Sequence, residues 1–322
     1  MSDGGPTQGA VLAVDIGGTH LRAGLVREDF TAHQVEIVSS LHILEVEDPS
    51  AALLAFVTDY LGRCTGGAPP LAISVGFPAT VSRDRRTVLS ATNIRSMQNL
   101  PIADFLEAAL GVPALIDRDV NMVLRHDMNS LHVPRQGVTV GCYVGTGLGN
   151  AISINGEILV GRHGVAGELG HLPVHGLSLV CGCGNTGCIE TVASGKYFAE
   201  MASRTFPGTP MGDVLPRYSN HPKVLEFLRY VAVAIASEVN ILDPEVVILG
   251  GGVVQAHGFP RETLEADVRE LARKPYPSED ITFLYSKGGQ QAGVIGAGIY
   301  AWDALHAGLS PAAAASLAAS RA

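Results

Sequence analysis

Two α/β domains, each opened by a β-hairpin whose first turn is rich in glycine, are what this sequence predicts. Three observations carry the prediction. Residues 10–16 are apolar but for Asp15 and enter Gly17-Gly18-Thr19 before the alternating run His20–Val26. Farther on, Val138–Val144 enters Gly145-Thr146-Gly147-Leu148-Gly149 and returns through residues 151–154. The length, 322 residues, suits two domains of about 150 each.

The remaining elements follow in order. Residues 49–63 form a helix with Leu53, Leu54, Val57 and Leu61 on one stripe. Residues 71–77 form a strand stopped by Pro78. Ile102–Leu110 is a helix and 112–116 a strand, followed by Asp117-Arg118-Asp119-Val120-Asn121 and a helix over 122–128. In the second half, Asn155-Gly156 signals a type I′ turn with 157–160 as the return strand. Residues 224–240 are an amphipathic helix with Val224, Phe227, Leu228, Val231, Ile235 and Val239 on one face. Asp243-Pro244 ends it, and the strand 245–249 runs into Gly250-Gly251-Gly252. A helix over 260–271, a strand over 281–285 and a Gly/Ala-rich helix over 293–305 complete the pattern. The alanine-rich residues 311–322 extend a helix or fray. Two such halves facing each other across a nucleotide are the logic of the actin-like ATPase (ribonuclease H-like) fold. The expected bounds are 10–119 for a small N-terminal α/β domain, completed by a C-terminal helix within 293–322. Residues 120–292 make the large C-terminal domain, with a zinc loop over 171–190.

Composition narrows the function. Glycine is 38 of 322 residues, about 12% against a usual 7% or so, which predicts tight turns or close backbone approach to a ligand. Hydrophobic residues are 47% and charged residues 16%, so the chain can bury a large core. The formal charge of −9 disfavours nucleic acid as a partner. No apolar run is long enough to span a membrane, and no signal peptide leads the chain. Five cysteines, three of them within residues 181–188, read as a cytoplasmic protein with one thiol cluster rather than a disulfide framework.

The glycine turns suit phosphate. Bare backbone N–H groups of Gly17 and Gly18, with the Thr19 hydroxyl, can meet phosphate oxygens, and Asp15 can hold Mg²⁺ through water. An ordinary hairpin with a surface Asp is the other reading. Gly145, Thr146 and Gly147 form a second such turn, and one polyphosphate needs clamping from two sides. Gly250, Gly251 and Gly252 offer a flat surface to a base or ribose, or simply a tight βα connection. Neither hairpin fits the Rossmann fingerprint, which runs from glycines into a helix, and Gly195-Lys196 is followed by Tyr197, so no Walker A loop exists. Asp119, at a strand end, can orient an acceptor hydroxyl and take its proton in phosphoryl transfer; it can equally cap the helix that follows. His171 with Cys181, Cys183 and Cys188 makes a closed Cys₃His set, the ligand pattern of structural Zn²⁺. Glu168 and Glu190 flank it, and folding around the ion would bring both carboxylates towards one place, where they suit sugar hydroxyls.

Four segments resemble the ROK family (repressor, open reading frame, kinase): Asp15-Ile-Gly-Gly-Thr19, the stretch 164–171 ending Gly-Glu-Leu-Gly-His171, the stretch 181–190, and Ile248-Leu-Gly-Gly-Gly252. The resemblance implies an actin/hexokinase-like fold with nucleotide and sugar in the interdomain cleft. It implies a hexose kinase using ATP and Mg²⁺, a structural zinc, and a homodimer. Asp119 is then the general base, and Asn93, Asn121, Glu168, His171 and Glu190 are substrate-binding positions, Asn121 as support for Asp119. Residues 76–87, 118–121 and 259–264 are similar to the family's allose kinase branch, which implies D-allose phosphorylated at its 6-hydroxyl. Glucokinase, fructokinase and N-acetylmannosamine kinase are the alternatives within the family. A sugar-sensing regulator is the rival class; only 14 residues precede Asp15 here, too few for its DNA-binding domain.

Overall fold

The computed structural model describes residues 9–91 and 94–309. The described chain separates into two compact units. The first takes in the residues up to His126, Val160–Val165 and those from Gly289 onward; the second is Asp127–Leu159 with Ala166–Gly288. The alanine-rich tail lies outside the described residues. No helix among them is long and apolar enough to cross a membrane.

In the first unit, strands β1 (Val11–Ile16), β2 (His20–Val26) and β3 (Ala32–Ser39) form an antiparallel meander. Helices α1 (Ser40–Leu44) and α2 (Pro49–Thr65) follow, and then β4 (Ile73–Phe77). The short strands β5 (Thr80–Val81), β6 (Val88–Ser90) and β7 (Gln98–Leu100) make a sheet of their own. Helix α3 (Ile102–Leu110), strand β8 (Ala114–Arg118) and helix α4 (Asp119–Ser130) come next, and the division between units falls within α4.

The second unit repeats the plan with β9 (Val138–Val144), β10 (Leu148–Ile154) and β11 (Glu157–Ile158). Helices α5 (Glu190–Ala193), α6 (Gly195–Thr205), α7 (Met211–Tyr218) and α8 (Pro222–Leu242) lead to β12 (Val246–Gly250), α9 (Arg261–Leu271) and β13 (Phe283–Tyr285). Helix α10 (Ala292–His306) closes the first unit. The two five-stranded sheets have the same order, β3-β2-β1-β4-β8 and β11-β10-β9-β12-β13. In each, a three-stranded meander is extended by two parallel strands.

Strand β1 is buried at every residue because both faces of its sheet are covered. Leu12, Val14 and Ile16 join the core that also holds Leu53, Val57 and Leu106, while Val11 and Ala13 meet Met122, Val294, Ala297 and Ala301. Glycines of α10 permit that second layer. A Cβ on Gly296 would lie 1.8 Å from the Met122 carbonyl oxygen. In the second unit the predicted stripe of α8 packs into one core with Val140, Cys142, Val247 and Leu249.

That core also holds a carboxyl group. Glu238 of α8 accepts from Asn150 Nδ2 at 2.8 Å and from Cys142 Sγ at 3.4 Å. Burial pushes its pKa from the ordinary 4.5 up to about 7, against both hydrogen bonds. A folded-state value above the unfolded one means that the bound proton favours folding. Its contribution is complete below the unfolded pKa and is lost as pH rises through the folded one. Glu238→Gln is therefore expected to leave stability near pH 4 almost unchanged and to raise it at pH 8 by up to about 3 kcal/mol. Urea midpoints at the two pH values check this; an equal gain at both would place the proton linkage elsewhere.

Candidate functional site

The parallel register of the first sheet aligns Asp15, Gly76 and Asp117 in one row at the carboxyl ends of β1, β4 and β8. Ligands of α/β sheets commonly meet the protein at such ends. Asp15 is buried, and hairpin pairing sets Arg22 beside it, with Nη1 3.4 Å from Oδ2. Burial raises its pKa to about 6, opposed by Arg22. The start of α10 presses on the same group: a Cβ on Gly293 would come within 2.2 Å of the Asp15 carboxyl carbon. Arg22 thus pairs with this carboxyl, and the first turn of α10 covers it. The turn beyond it closes through Gly17 N–H to His20 O at 2.8 Å, with Thr19 exposed at its tip.

At the end of β8 two carboxylates part company. Asp117 is fully buried, and its Oδ1 accepts from Arg118 N at 2.8 Å and Asn121 Nδ2 at 2.7 Å. Arg85 Nη1 stands 3.0 Å from Oδ1 and Arg125 Nη2 3.5 Å from Oδ2. Asp119 is half-buried, and its Oδ1 accepts the Val120 N–H at 2.7 Å. Helix α4 begins at Asp119, three residues before the expected start, so Asp119 supports the helix N-terminus as well. Asn121 was expected to support Asp119. Its amide instead donates four residues back to Asp117, and the residue is buried. Gly76 lies beneath: a Cβ there would stand 3.4 Å from the Asp119 Cα. Asn93 lies outside the described residues.

In the second unit the Gly145–Gly147 turn is framed by its neighbours. Gly195 N–H donates to Gly145 O at 2.8 Å, and Lys196 N–H to Thr146 O at 3.2 Å. Glu190 Oε2 accepts the Leu148 N–H at 2.8 Å, and a Cβ on Gly147 would come within 2.3 Å of that oxygen. Gly250 pairs with Tyr143 on β9. Gly251, at φ 88, packs on the Val144 backbone. The two glycine segments read from the sequence in this half are therefore neighbours.

The Cys₃His set is assembled. The ligand atoms of His171, Cys181, Cys183 and Cys188 all lie within 4.8 Å of one another. Cys183 and Cys188 Sγ are 3.6 Å apart, and Cys181 Sγ is 3.6 Å from His171 Nδ1. Zn–S bonds of about 2.3 Å and a Zn–N bond of about 2.1 Å at tetrahedral angles imply edges of about 3.6–3.8 Å. The four donors fit zinc, whereas a disulfide needs sulfurs about 2.05 Å apart. Bridges Pro173–Cys188 and Val180–Thr186 and the left-handed Gly184 and Gly187 fold the loop. Glu168 Oε2 lies 3.5 Å from His171 Nε2, so the second ring nitrogen faces a carboxylate, as metal-binding histidines commonly arrange. Of the two flanking carboxylates, Glu168 meets His171 and Glu190 meets the glycine turn.

Sequence reasoning did not single out Arg85, Arg125, Arg22 or Gly76. Hairpin register gives Arg22 directly, since strands pairing about Gly17–Thr19 set residue 22 opposite 15. The cluster Arg83-Asp84-Arg85-Arg86 after a strand end was the visible signal for Arg85.

The ROK family model matches residues 11–304. A glucokinase of Halalkalibacterium halodurans is 28% identical over 315 residues, covering 89% of this chain and 93% of that protein. A ROK family glucokinase from Streptomyces griseus, solved with glucose and AMPPNP, aligns with a TM-score of 0.74 at 25% identity, covering 90% of this chain and 98% of that one. A ROK family transcriptional regulator, a homologue of the E. coli MLC protein, aligns with a TM-score of 0.80 at 25% identity, covering 94% of this chain and 80% of that one. Twin hairpin-led sheets, the acidic strand ends and a family match over nearly the whole length lead to one conclusion: this chain has the actin-like ATPase fold and belongs to the ROK family.

Proposed function

We propose that this ROK protein is a sugar kinase that transfers the γ-phosphoryl group of ATP to the 6-hydroxyl of a hexose, with D-allose preferred. The observation that carries the reading is the division of labour at the end of β8. Asp117 is locked among nitrogen donors, while Asp119, two residues on, is half-exposed and has the chemistry of a general base. Asp119 orients the acceptor hydroxyl and takes its proton as the new P–O bond forms and the bond from the γ-phosphorus to the bridging oxygen breaks, releasing ADP. Thr19 and the backbone of Gly17 and Gly18 serve the phosphates in one unit, and Gly145, Thr146 and Gly147 serve them in the other. Gly250, Gly251 and Gly252 receive the base or ribose. Asn93, Glu168, His171 and Glu190 serve the sugar, and Glu190 also holds the glycine turn. Asp15 is the residue that would hold Mg²⁺, a hard cation suited to a carboxylate and phosphate oxygens, which neutralises phosphoryl charge when bound. The Cys₃His set would hold a structural zinc. A homodimer in the cytoplasm completes the proposal.

The preference for allose rests on the segments 76–87, 118–121 and 259–264. The two epimers differ in one hydroxyl. A site built for it leaves a polar group unpaired when the wrong epimer binds, at a cost of roughly 1–3 kcal/mol. Allose is thus expected to exceed glucose in kcat/KM by roughly 10–100-fold. A panel of allose, glucose, fructose and N-acetylmannosamine with ATP measures it. Equal efficiency on glucose removes the allose preference and leaves the kinase, whereas no phosphorylation of any hexose removes the kinase. Likeness to a ROK regulator favours one second reading, sugar-sensing DNA binding, which a gel shift with and without sugar tests.

A further inference from the structure

Arg85 reaches the acceptor side of the first unit from an unlikely place, the turn joining β5 to β6. That turn is built around Ser82. Its N–H donates to Thr87 O at 2.9 Å, its carbonyl accepts the Arg85 N–H at 2.9 Å, and its hydroxyl accepts the Thr87 N–H at 2.9 Å. The network fixes Arg85 at φ 59, a left-handed conformation uncommon for a long side chain. The neighbouring Arg86 anchors the turn on the other side. It binds Asp104 and Glu107 of α3 and the Ala114 carbonyl at the start of β8. Two successive arginines therefore grip the two ends of one strand, Arg86 at Ala114 and Arg85 at Asp117.

Stability is a poor reason for this arrangement. The side chains of Arg85 and Asp117 keep only 10% and 1% of their exposure, and both terminal nitrogens of Arg85 are buried without a well-aligned hydrogen bond. A buried ion pair usually adds no more stability than apolar residues of the same volume. Here desolvation and a strained backbone are both directed at the residue two positions before Asp119. Strain of this kind is typical of sites that must hold a geometry. On the other side Gly76 lets the Asp119 backbone settle against β4, so the height of Asp119 above the sheet follows the β8–α4 junction that Asp117 secures.

We propose that Arg85 is a positioning residue for phosphoryl transfer: by clamping Asp117 it fixes the β8–α4 junction and with it the placement of Asp119 against the acceptor hydroxyl. The inference rests on the kinase reading above. Misplacing a reacting group by about 1 Å costs on the order of 10²-fold in rate, with little effect on binding.

The test uses the full chain with Arg85→Gly, a residue at home at φ 59, beside Arg85→Lys. Arg85→Gly is expected to lower kcat by roughly 10–100-fold while both KM values stay within about threefold, measured well below its melting temperature, which falls because one partner of a buried pair is gone. Arg85→Lys should keep the larger part of kcat. Millimolar guanidinium chloride, but not sodium chloride of equal ionic strength, should partly restore Arg85→Gly by filling the vacated place. Three results would overturn the inference: kcat of Arg85→Gly within twofold of wild type, a raised sugar KM at unchanged kcat, or equal losses in both variants without a guanidinium response. A wild-type chain that phosphorylates no hexose removes the kinase reading and this inference with it. An active wild type beside an unaffected Arg85→Gly removes only the inference.

Discussion

Asp119→Asn is expected to lower kcat by roughly 10²–10⁴-fold, the usual cost of losing a general base, while sugar affinity and melting temperature hold. Asparagine keeps an oxygen where Asp119 Oδ1 accepts the Val120 N–H, so the start of α4 survives the change. What it loses is the capacity to take a proton at the acceptor hydroxyl. Asp117 cannot stand in. It is fully buried, and its oxygens are engaged by Asn121, the Arg118 N–H and two guanidinium groups. Steady-state kinetics with the best hexose, beside calorimetric titration of that sugar, separates the two quantities. Near-normal turnover with intact sugar binding assigns the base to another residue; lost sugar binding makes Asp119 a substrate ligand first.

How much of this was legible differs by residue, and the reason is sequence distance. Asp15 could be found because a buried strand, a glycine turn and an alternating strand are contiguous, and hairpin geometry is local. The Cys₃His cluster could be found because its thiols lie within eight residues and ligand chemistry restricts their use. The α8 stripe and α10 were legible from their periodicity and their Gly/Ala content. Strands β5, β6 and β7 were not, since two or three residues carry no period. The helices α6 and α7 were missed although Phe198, Met201 and Ala202 in one and Val214 and Leu215 in the other set a buried face at helical spacing. The partners of Glu190 and Arg85 lie 42 and 32 positions away, at Leu148 and Asp117, and no local rule connects such pairs. Both residues were visible as charges of the right kind; what they touch is a property of the folded sheet. Asn121 shows the same limit at short range. Asp117 ends a strand and Asn121 lies in the first turn of the helix, so their pairing follows from the strand–helix junction and not from a helical spacing.

Cys183→Ser is expected to abolish zinc binding, taking the metal from one ion per chain to nearly none, and to remove sugar binding with it. The residue suits the test because Cys183 is exposed while Cys181 and Cys188 are buried. Replacing its sulfur by oxygen changes the ligand set and disturbs almost no packing. Structural zinc in small peptides contributes roughly 10–16 kcal/mol of apparent binding energy at neutral pH, ample to order a loop whose own ties are turn hydrogen bonds and two isolated bridges. The loss should spread along the chain in two directions. Through Cys188 and Ile189 it reaches Glu190, whose Oε2 holds the Leu148 N–H at the Gly145–Gly147 turn. Through His171 it reaches Glu168 and Gly170; a Cβ on Gly170 would lie 2.8 Å from the Leu148 carbonyl oxygen and 3.4 Å from the Glu190 Cβ. Both segments proposed to serve substrate would therefore depend on the bound ion, and ATP affinity should fall along with the loss of sugar binding. Elemental analysis of protein purified without chelator, before and after the substitution, reads the metal directly, and titration with the hexose reads the site. Fresh wild-type protein free of zinc ends the cluster's assignment. A Cys183→Ser protein that loses zinc yet binds sugar and ATP normally leaves the metal in place but cuts its link to Glu190 and Glu168.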